Sequence, residues 1–436
     1  MITALLLVAT LAAEPVAASA PPQPAPAATV LHLDEALKIA LAAQPSVRQA
    51  HAQTAAAEAR ALEARAPLLP QIGANLGYAR ATANSTAANS VLKPGNNSFD
   101  SYNSLIAGVS ASQLVWDFGQ TTGRWRAAKS QAEAQVDNEK ASLLLTALSV
   151  RAAYFGARGA KALLEVAVET TQNLKRHLEQ AQGFFEVGTK PKLDVVQAQS
   201  DLATAQVQLI QADNAYRTSK VQLNQALGRE GPGDFEVGED SLPPVAGEEL
   251  GFAALMDEAV KARPEIAQLE AQIRAQESTL GSVRGAYWPT LGVAASFNAG
   301  GQDFTAFGWN WNLQTTLTWP LFQGLLTQSQ EQEANATLDA IKAQRDGLRQ
   351  QVALELEQAR LAVEADKSAL AAADDAVKLA HERLDLAEGR YQTGAGSIIE
   401  LTDAQTAYTN ASGQRVKSEY DLAVARAQLL KALGRP

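Results

Sequence analysis

Tyr391-Gln-Thr-Gly-Ala-Gly-Ser-Ile-Ile-Glu-Leu-Thr-Asp403 is a glycine-broken turn between two long heptad-patterned segments. It has a partner 206 residues upstream, Phe184-Phe-Glu-Val-Gly-Thr-Lys-Pro-Lys-Leu-Asp-Val-Val-Gln197. The same shift places Gly188 on Gly394, Asp194 on Glu400, and Ala226-Leu227-Gly228 on Ala432-Leu433-Gly434. One module is written twice, each copy carrying a helical hairpin whose tip is this turn. Gly188, Gly394 and Gly396 are the tip glycines, where a chain reversing between helices needs backbone freedom.

The segments on either side repeat every seven residues. Leu356, Val363, Leu370, Val377, Leu384 and Tyr391 form one row, and Val150, Ala157, Leu164, Thr171, Leu178 and Phe185 form its copy. In the return helices Val195, Leu202, Leu209, Tyr216 and Leu223 run beside the small row Ala198, Ala205, Ala212, Ser219 and Ala226. Large residues facing small ones let helices pack knobs into holes. At 1.5 Å per residue, a helix of roughly 65 residues before each tip reaches about 100 Å, far more than a compact enzyme needs.

Upstream of each helical hairpin the period changes to two. Ile72, Ala74, Leu76 and Tyr78 alternate with Gly73, Asn75 and Gly77, and Leu291, Val293, Ala295 and Phe297 with Gly292, Ala294, Ser296 and Asn298. Phe307, Trp309, Trp311, Leu313, Leu317 and Trp319 alternate with Gly308, Asn310, Asn312, Gln314, Thr316 and Thr318. An almost uncharged polar face opposite an aromatic-rich apolar face fits strands of a membrane β-barrel; a soluble β-sandwich is the alternative. Tyr78, Phe297, Phe307, Trp309, Trp311 and Trp319 are the expected membrane-facing aromatics. Four strands cannot close a barrel, and an open edge in lipid is forbidden. Membership of the sheet in a membrane therefore requires several chains, and three would supply twelve strands. The repeat offset falls from 219 to 206 across these strand pairs, and the loop at 83–101 carries the difference, as expected of a tip at the outer face of the membrane.

A net charge of -10 and a pI near 5.1, with no basic block, give nucleic-acid binding no electrostatic support. Cysteine is absent, so no disulfide and no cysteine lipid anchor is expected. Residues 1–19 read as a signal peptide without its basic start, with a buried N-terminal helix as the alternative. A Pro/Ala spacer is expected at 20–31, repeat 1 at 32–228, a linker at 229–251 and repeat 2 at 252–436. The strand pairs are expected at about 71–116 and 290–320, and the tips at about 186–192 and 391–398. His32, His51, His177 and His381 have no ligand spacing, and no nucleophile or phosphate-binding motif appears, so neither an enzyme nor a cofactor is expected.

Together these features resemble the TolC-type outer-membrane efflux proteins (outer membrane factors) over nearly the whole chain. The carriers are the tandem copy, the Pro70/Pro289 step from helix to strand, and the strand exits Leu-Val-Trp-Asp-Phe-Gly119 and Pro-Leu-Phe-Gln-Gly324. The second tip adds Tyr391, Gly394, Glu400 and Asp403 at the family spacing. The resemblance implies a membrane α+β fold: a homotrimer with a twelve-stranded outer-membrane β-barrel continuing into a periplasmic α-helical barrel. It implies a passive exit duct for drugs, metals or other small molecules, served by a periplasmic adaptor and an inner-membrane pump of RND or ABC type. The duct of a type I protein-secretion system is the alternative. A coiled-coil scaffold without a membrane role is more distant, since Trp309, Trp311 and Trp319 argue against it.

By the same resemblance Glu400 and Asp403 line the periplasmic entrance, and Asp194 bonds Tyr391 to hold the inner hairpin closed. An arginine that helps lock some members is Gly396 here, and Lys190 on the other tip is the candidate substitute. Independently, Glu400 and Asp403 are three apart and share a helix face. Repeated three-fold they would ring a narrow mouth and favour cations. The alternative for these acids, and for Asp194, is complementing a helix dipole from the first turn, as it is for Asp34 and Glu35.

Overall fold

The computed structural model describes residues 29–82, 101–302 and 307–436. The expected signal segment, most of the spacer and the outer loops of both strand pairs lie outside them.

The tandem copy is carried into element lengths. Short helices α1 (Leu33–Ala43) and α5 (Phe252–Ala262) have 11 residues each. Helices α2 (Pro45–Arg65) and α6 (Pro264–Gly285) follow, each with proline in the first turn, where its missing N–H costs nothing. Strands β2 (Gln71–Thr82) and β3 (Ser101–Trp116) come next in copy one, and β5 (Thr290–Gly301) and β6 (Gly308–Thr318) in copy two. Helices α3 (Gln120–Glu186) and α7 (Leu326–Gln392) then run 67 residues each, about 100 Å. The return helices α4 (Lys192–Ala226) and α8 (Ile398–Ala432) have 35 residues each.

The long helices are about twice the length of their returns, so something must fill the upper half of the shaft. In the lower half α3 packs on α4 and α8, and α7 on α8; in the upper half α3 packs on α2 and α6, and α7 on α6. The end of α4 meets the start of α2 head to tail, and the end of α8 meets the start of α6. Gly228 and Gly434 make the joints, at φ +73° and +72°. A Cβ on Gly228 would sit 2.8 Å from Gln44 Cα, and one on Gly434 2.8 Å from Ala262 O. Four helical columns result, in the order α2/α4, α3, α6/α8, α7.

Residues 235–237 form β4 (Phe235–Val237), paired in parallel with β1 (Thr29–Leu31). The Pro/Ala spacer therefore ends earlier than its composition suggests. Leu31 and Val237 are 5% and 1% exposed; burial against Tyr154 and Phe155 of α3 outweighs the low-complexity context of the strand. Two acids anchor the rest of 229–251. Asp240 accepts from Leu33 N at 3.0 Å and from the Tyr154 hydroxyl. Arg158 joins Asp240 O at 2.6 Å to Glu419 of α8 at 2.7 Å. Glu248 is buried between Lys367 of α7 at 2.6 Å and Arg426 of α8 at 3.3 Å. This segment is a strap across both helical hairpins at mid-height.

Below α5, buried Arg263 donates to Glu355 at 2.6 Å and Lys431 donates to the same carboxylate at 2.8 Å. Partial burial works against charge on Glu355, but the bonds from Lys431, Arg263 and Gln351 prevail and hold its carboxyl at about 2 against an ordinary 4.5. A depressed carboxyl contributes stability that is complete above its unfolded pKa and disappears as pH falls through the folded one.

Two outcomes follow in detergent-solubilised protein. Gly434→Ala, strained at positive φ and blocked by Ala262, should lower the thermal midpoint by an amount worth more than about 1 kcal/mol, while Gly347→Ala in open space on α7 should raise it by about 0.5–1 kcal/mol. The stability advantage of wild type over Glu355→Gln should be flat above about pH 4.5 and shrink toward about pH 2; a constant difference across that range would contradict the clamp.

Candidate functional site

Two regions carry the functional side chains: the sheet at one end of the shaft and the tips at the other. The sheet order is β2-β3-β5-β6, antiparallel throughout. Residues opposite one another share a face. The registers therefore put Tyr78 with Leu105, Ala74 with Val109, Val109 with Phe297, and Phe297 with Trp311 on a single face. The other face stacks Asn75, Gly108, Asn298 and Asn310 in one row, and Gly73, Ser110, Ser296 and Asn312 in the next. Among the described residues nothing covers the apolar face: Leu76 is 88% exposed and Trp309 and Trp311 69% and 68%. Phe297 and Trp309 stack with centroids 6.0 Å apart. Phe307 stands one residue before β6 and is half-buried; Trp319 stands one residue after it and is exposed. Trp309 and Trp319 are ten residues apart, about 33 Å along a strand and about 25 Å across a bilayer at the tilt usual in barrels.

A second aromatic cluster at the junction with the shaft was not legible from alternation. Phe118 stacks on Trp288 at 5.3 Å and meets Trp116 edge-on at 6.0 Å, and Trp319 Nε1 donates to Tyr287 O at 3.1 Å. A register shift between Leu114 and Trp116 turns Trp116 out of the polar row and opposite Leu291 on the apolar face. The adjoining Asp117 is buried and caps α3, accepting from Gly119 N at 3.1 Å and Thr121 N at 2.6 Å, which explains the Asp-Phe-Gly strand exit. Rings at both ends of an apolar band are how membrane strands hold their depth.

At the tips, Gly188 and Gly394 take φ +75° and +79°, closing both turns in the same way. The two tips then bind each other. Tyr391, fully buried, donates its hydroxyl to Asp194 Oδ2 at 3.3 Å and meets Phe184 edge-on at 5.7 Å. Burial first, then the Asp194 charge and hydrogen bond, push the Tyr391 phenol up to about 12. Lys190 Nζ donates to Gly396 O at 2.9 Å and sits 5.0 Å above the Tyr391 ring. Lys190 and Gly396 are equivalent positions of the two repeats, so one tip reaches the backbone of its own copy. Further up the seam Thr402 donates to Asp201 at 3.0 Å, His177 Nε2 lies 3.1 Å from Glu388, and Thr170 bonds Thr409 at 3.0 Å. Ser397 caps α8 by accepting from Glu400 N at 3.1 Å. The Glu400 carboxylate lies 3.4 Å from Arg390 Nε, a partner that sequence reading had not assigned. Asp403 is exposed and has no partner among the described residues. Among them, too, no group of His, Asp and Glu could hold a metal ion, and no helix is long and apolar enough to cross a membrane.

A two-faced sheet on a helical shaft of this length defines an outer-membrane channel protein extending into the periplasm. The model of the outer membrane efflux protein family matches residues 36–229 and 255–435, and the chain belongs to that family. The pyoverdine export outer membrane protein OpmQ of Pseudomonas aeruginosa is 26% identical over 406 residues, 92% of this chain and 85% of its own. Protein CyaE of Bordetella pertussis is 25% identical over 417 residues, 95% and 86% of the two chains. In fold the chain is similar to CusC, with a TM-score of 0.80 at 19% identity over 93% of this chain and 92% of that one. Membership makes it a channel component of efflux, not an enzyme.

The two faces of the sheet should respond oppositely to charge. Leu313→Arg, near the middle of β6 on the apolar face, should cost about 2–4 kcal/mol in a refolding titration into lipid vesicles, and Gln314→Arg on the other face far less. Equal costs would mean that lipid does not cover the apolar face.

Proposed function

We propose that three copies of this chain close into a barrel and tunnel that serves as the passive exit duct of a tripartite efflux system. The observation that carries this is the sheet: its apolar face lies open, and among the described residues β2 and β6 are edges without a partner. Unpaired backbone groups cannot face hydrocarbon, so each β6 must meet the β2 of a neighbouring copy. Twelve strands result.

The shaft supports the same symmetry. The columns at the ends of the row are α2/α4 and α7, and both leave apolar side chains uncovered. On α4 these include Val207 and Ile210, 54% and 69% exposed; on α7, Leu379 and Leu386, 66% and 71% exposed. Packing α4 of one copy on α7 of the next covers both and continues the small-and-large pattern around a closed tunnel. The sheet's Tyr78, Phe297, Trp309 and Trp311 then face lipid, with Phe307 and Trp319 at its borders, and the Asn, Ser, Thr and Gln face lines a wet lumen.

Tyr391, Asp194 and Lys190 are the contacts that hold the entrance closed, with Lys190 in the role of the arginine that Gly396 replaces. Glu400 and Asp403 give the mouth its preference for cations and its block by divalent ions. Small molecules reach the mouth from an inner-membrane pump of RND or ABC type through a periplasmic adaptor docked at the tips. A lumen lined by short polar side chains selects little, so substrate choice belongs to the pump.

Two measurements test the duct. Detergent-extracted protein should have a mass close to three times the 46.1 kDa chain; a monomeric mass would remove the closed barrel. In planar bilayers Lys190→Ala with Asp194→Ala should raise single-channel conductance several-fold over wild type by freeing the tips. Unchanged conductance would show that these contacts do not gate the entrance.

A further inference from the structure

The tandem copy allows each tip residue to be compared with its own equivalent. In copy one, the positions matching Arg390, Glu400 and Asp403 are Phe184, Asp194 and Gln197. Phe184 is half-buried against the Tyr391 ring, and Asp194 is buried beneath its hydroxyl. These copy-one groups sit inside the seam between hairpins. In copy two the same positions are charged and exposed in the single chain: the Arg390 and Glu400 side chains are 58% and 42% exposed, and Asp403 is exposed too. At these three positions, among the described residues, the second tip carries exposed charge and the first does not.

That charge is not purely acidic. Arg390 Nε stands 3.4 Å from Glu400 Oε1, and the approach is built into the turn. The Arg390 carbonyl accepts from Gly396 N at 2.8 Å and from the Thr393 hydroxyl at 3.1 Å, which fixes where the arginine side chain starts. A Cβ on Gly396 would come within 3.1 Å of Arg390 C and Cβ. Glycine there lets the end of α7 and the start of α8 lie close enough for the pair to form. Asp403, three residues further along α8, stays free of any partner among the described residues.

We infer that Arg390 is a specificity-determining residue of the entrance, neutralising Glu400 so that Asp403 carries the net charge that selects ions. One guanidinium beside two carboxylates halves the negative charge each copy brings to the mouth. The channel is then weakly cation-selective, and its block by divalent ions is moderated, because the arginine competes with them for Glu400. This rests on the acidic entrance proposed above and adds to it the group that sets its strength.

The experiment is the reversal potential of single channels in a KCl gradient, with MgCl2 block measured from the periplasmic side. Arg390→Gln should raise the K+/Cl− permeability ratio about two- to fivefold and strengthen Mg2+ block. Arg390→Lys, which keeps the charge, should behave as wild type, and Arg390→Gln with Glu400→Gln should return close to it. An unchanged ratio in Arg390→Gln, or the same change in Arg390→Lys, would overturn the inference, the second by pointing to a merely structural brace. If Glu400→Gln and Asp403→Asn also leave the ratio unchanged, the acidic mouth falls with it. If those two shift the ratio and Arg390→Gln does not, the inference falls alone.

Discussion

A strand edge cannot end in hydrocarbon, because no water is there to take its backbone hydrogen bonds. Much of this protein's form follows from that constraint. Among its described residues each chain makes four antiparallel strands in one two-faced sheet, with both edges open. The sheet has no meaning alone. The columns at the ends of the helical row, α2/α4 and α7, repeat the same incompleteness in the periplasmic shaft, with apolar rows left uncovered.

The second organising fact is the inequality of helix lengths. A 67-residue helix paired with a 35-residue return leaves half the shaft without a neighbour. The chain fills that half with α2 and α6 stacked on the ends of α4 and α8, which demands a residue without a side chain at each joint. Gly228 and Gly434 meet that demand. The strap at 229–251 wraps the level of the joints, and its acids Asp240 and Glu248 bind residues from both hairpins. Charge pairing is dense here because separate elements must hold a common height without a continuous core.

At the tips the two copies share a backbone and differ in their side chains. Backbone geometry is the same at Gly188 and Gly394. The side chains differ: copy one contributes Lys190 and Asp194 to the seam, while copy two contributes the buried Tyr391 and turns Arg390, Glu400 and Asp403 to water. Cross-tip bonds therefore run between unlike partners, as when Lys190 reaches the carbonyl of Gly396. The two tips can bond in this way because the halves of the duplicated module are no longer identical.

Periodicity by itself determined the strands, the long helices and their duplication, because period two and period seven are properties of spacing along the chain. Alternation also identified the apolar face holding Tyr78, Phe297, Trp309 and Trp311, and the registers place these residues on one side. Features that depend on distant segments were not legible. Thr29–Leu31 looked like spacer because its strand partner lies more than 200 residues away. Trp116 broke the alternation because a bulge re-aims it. Arg390 looked like any charged residue of a heptad surface until the turn at Gly396 folded it back to Glu400. Local pattern fixes which elements form; only the packed chain decides which side chains meet across a turn, a bulge or a seam.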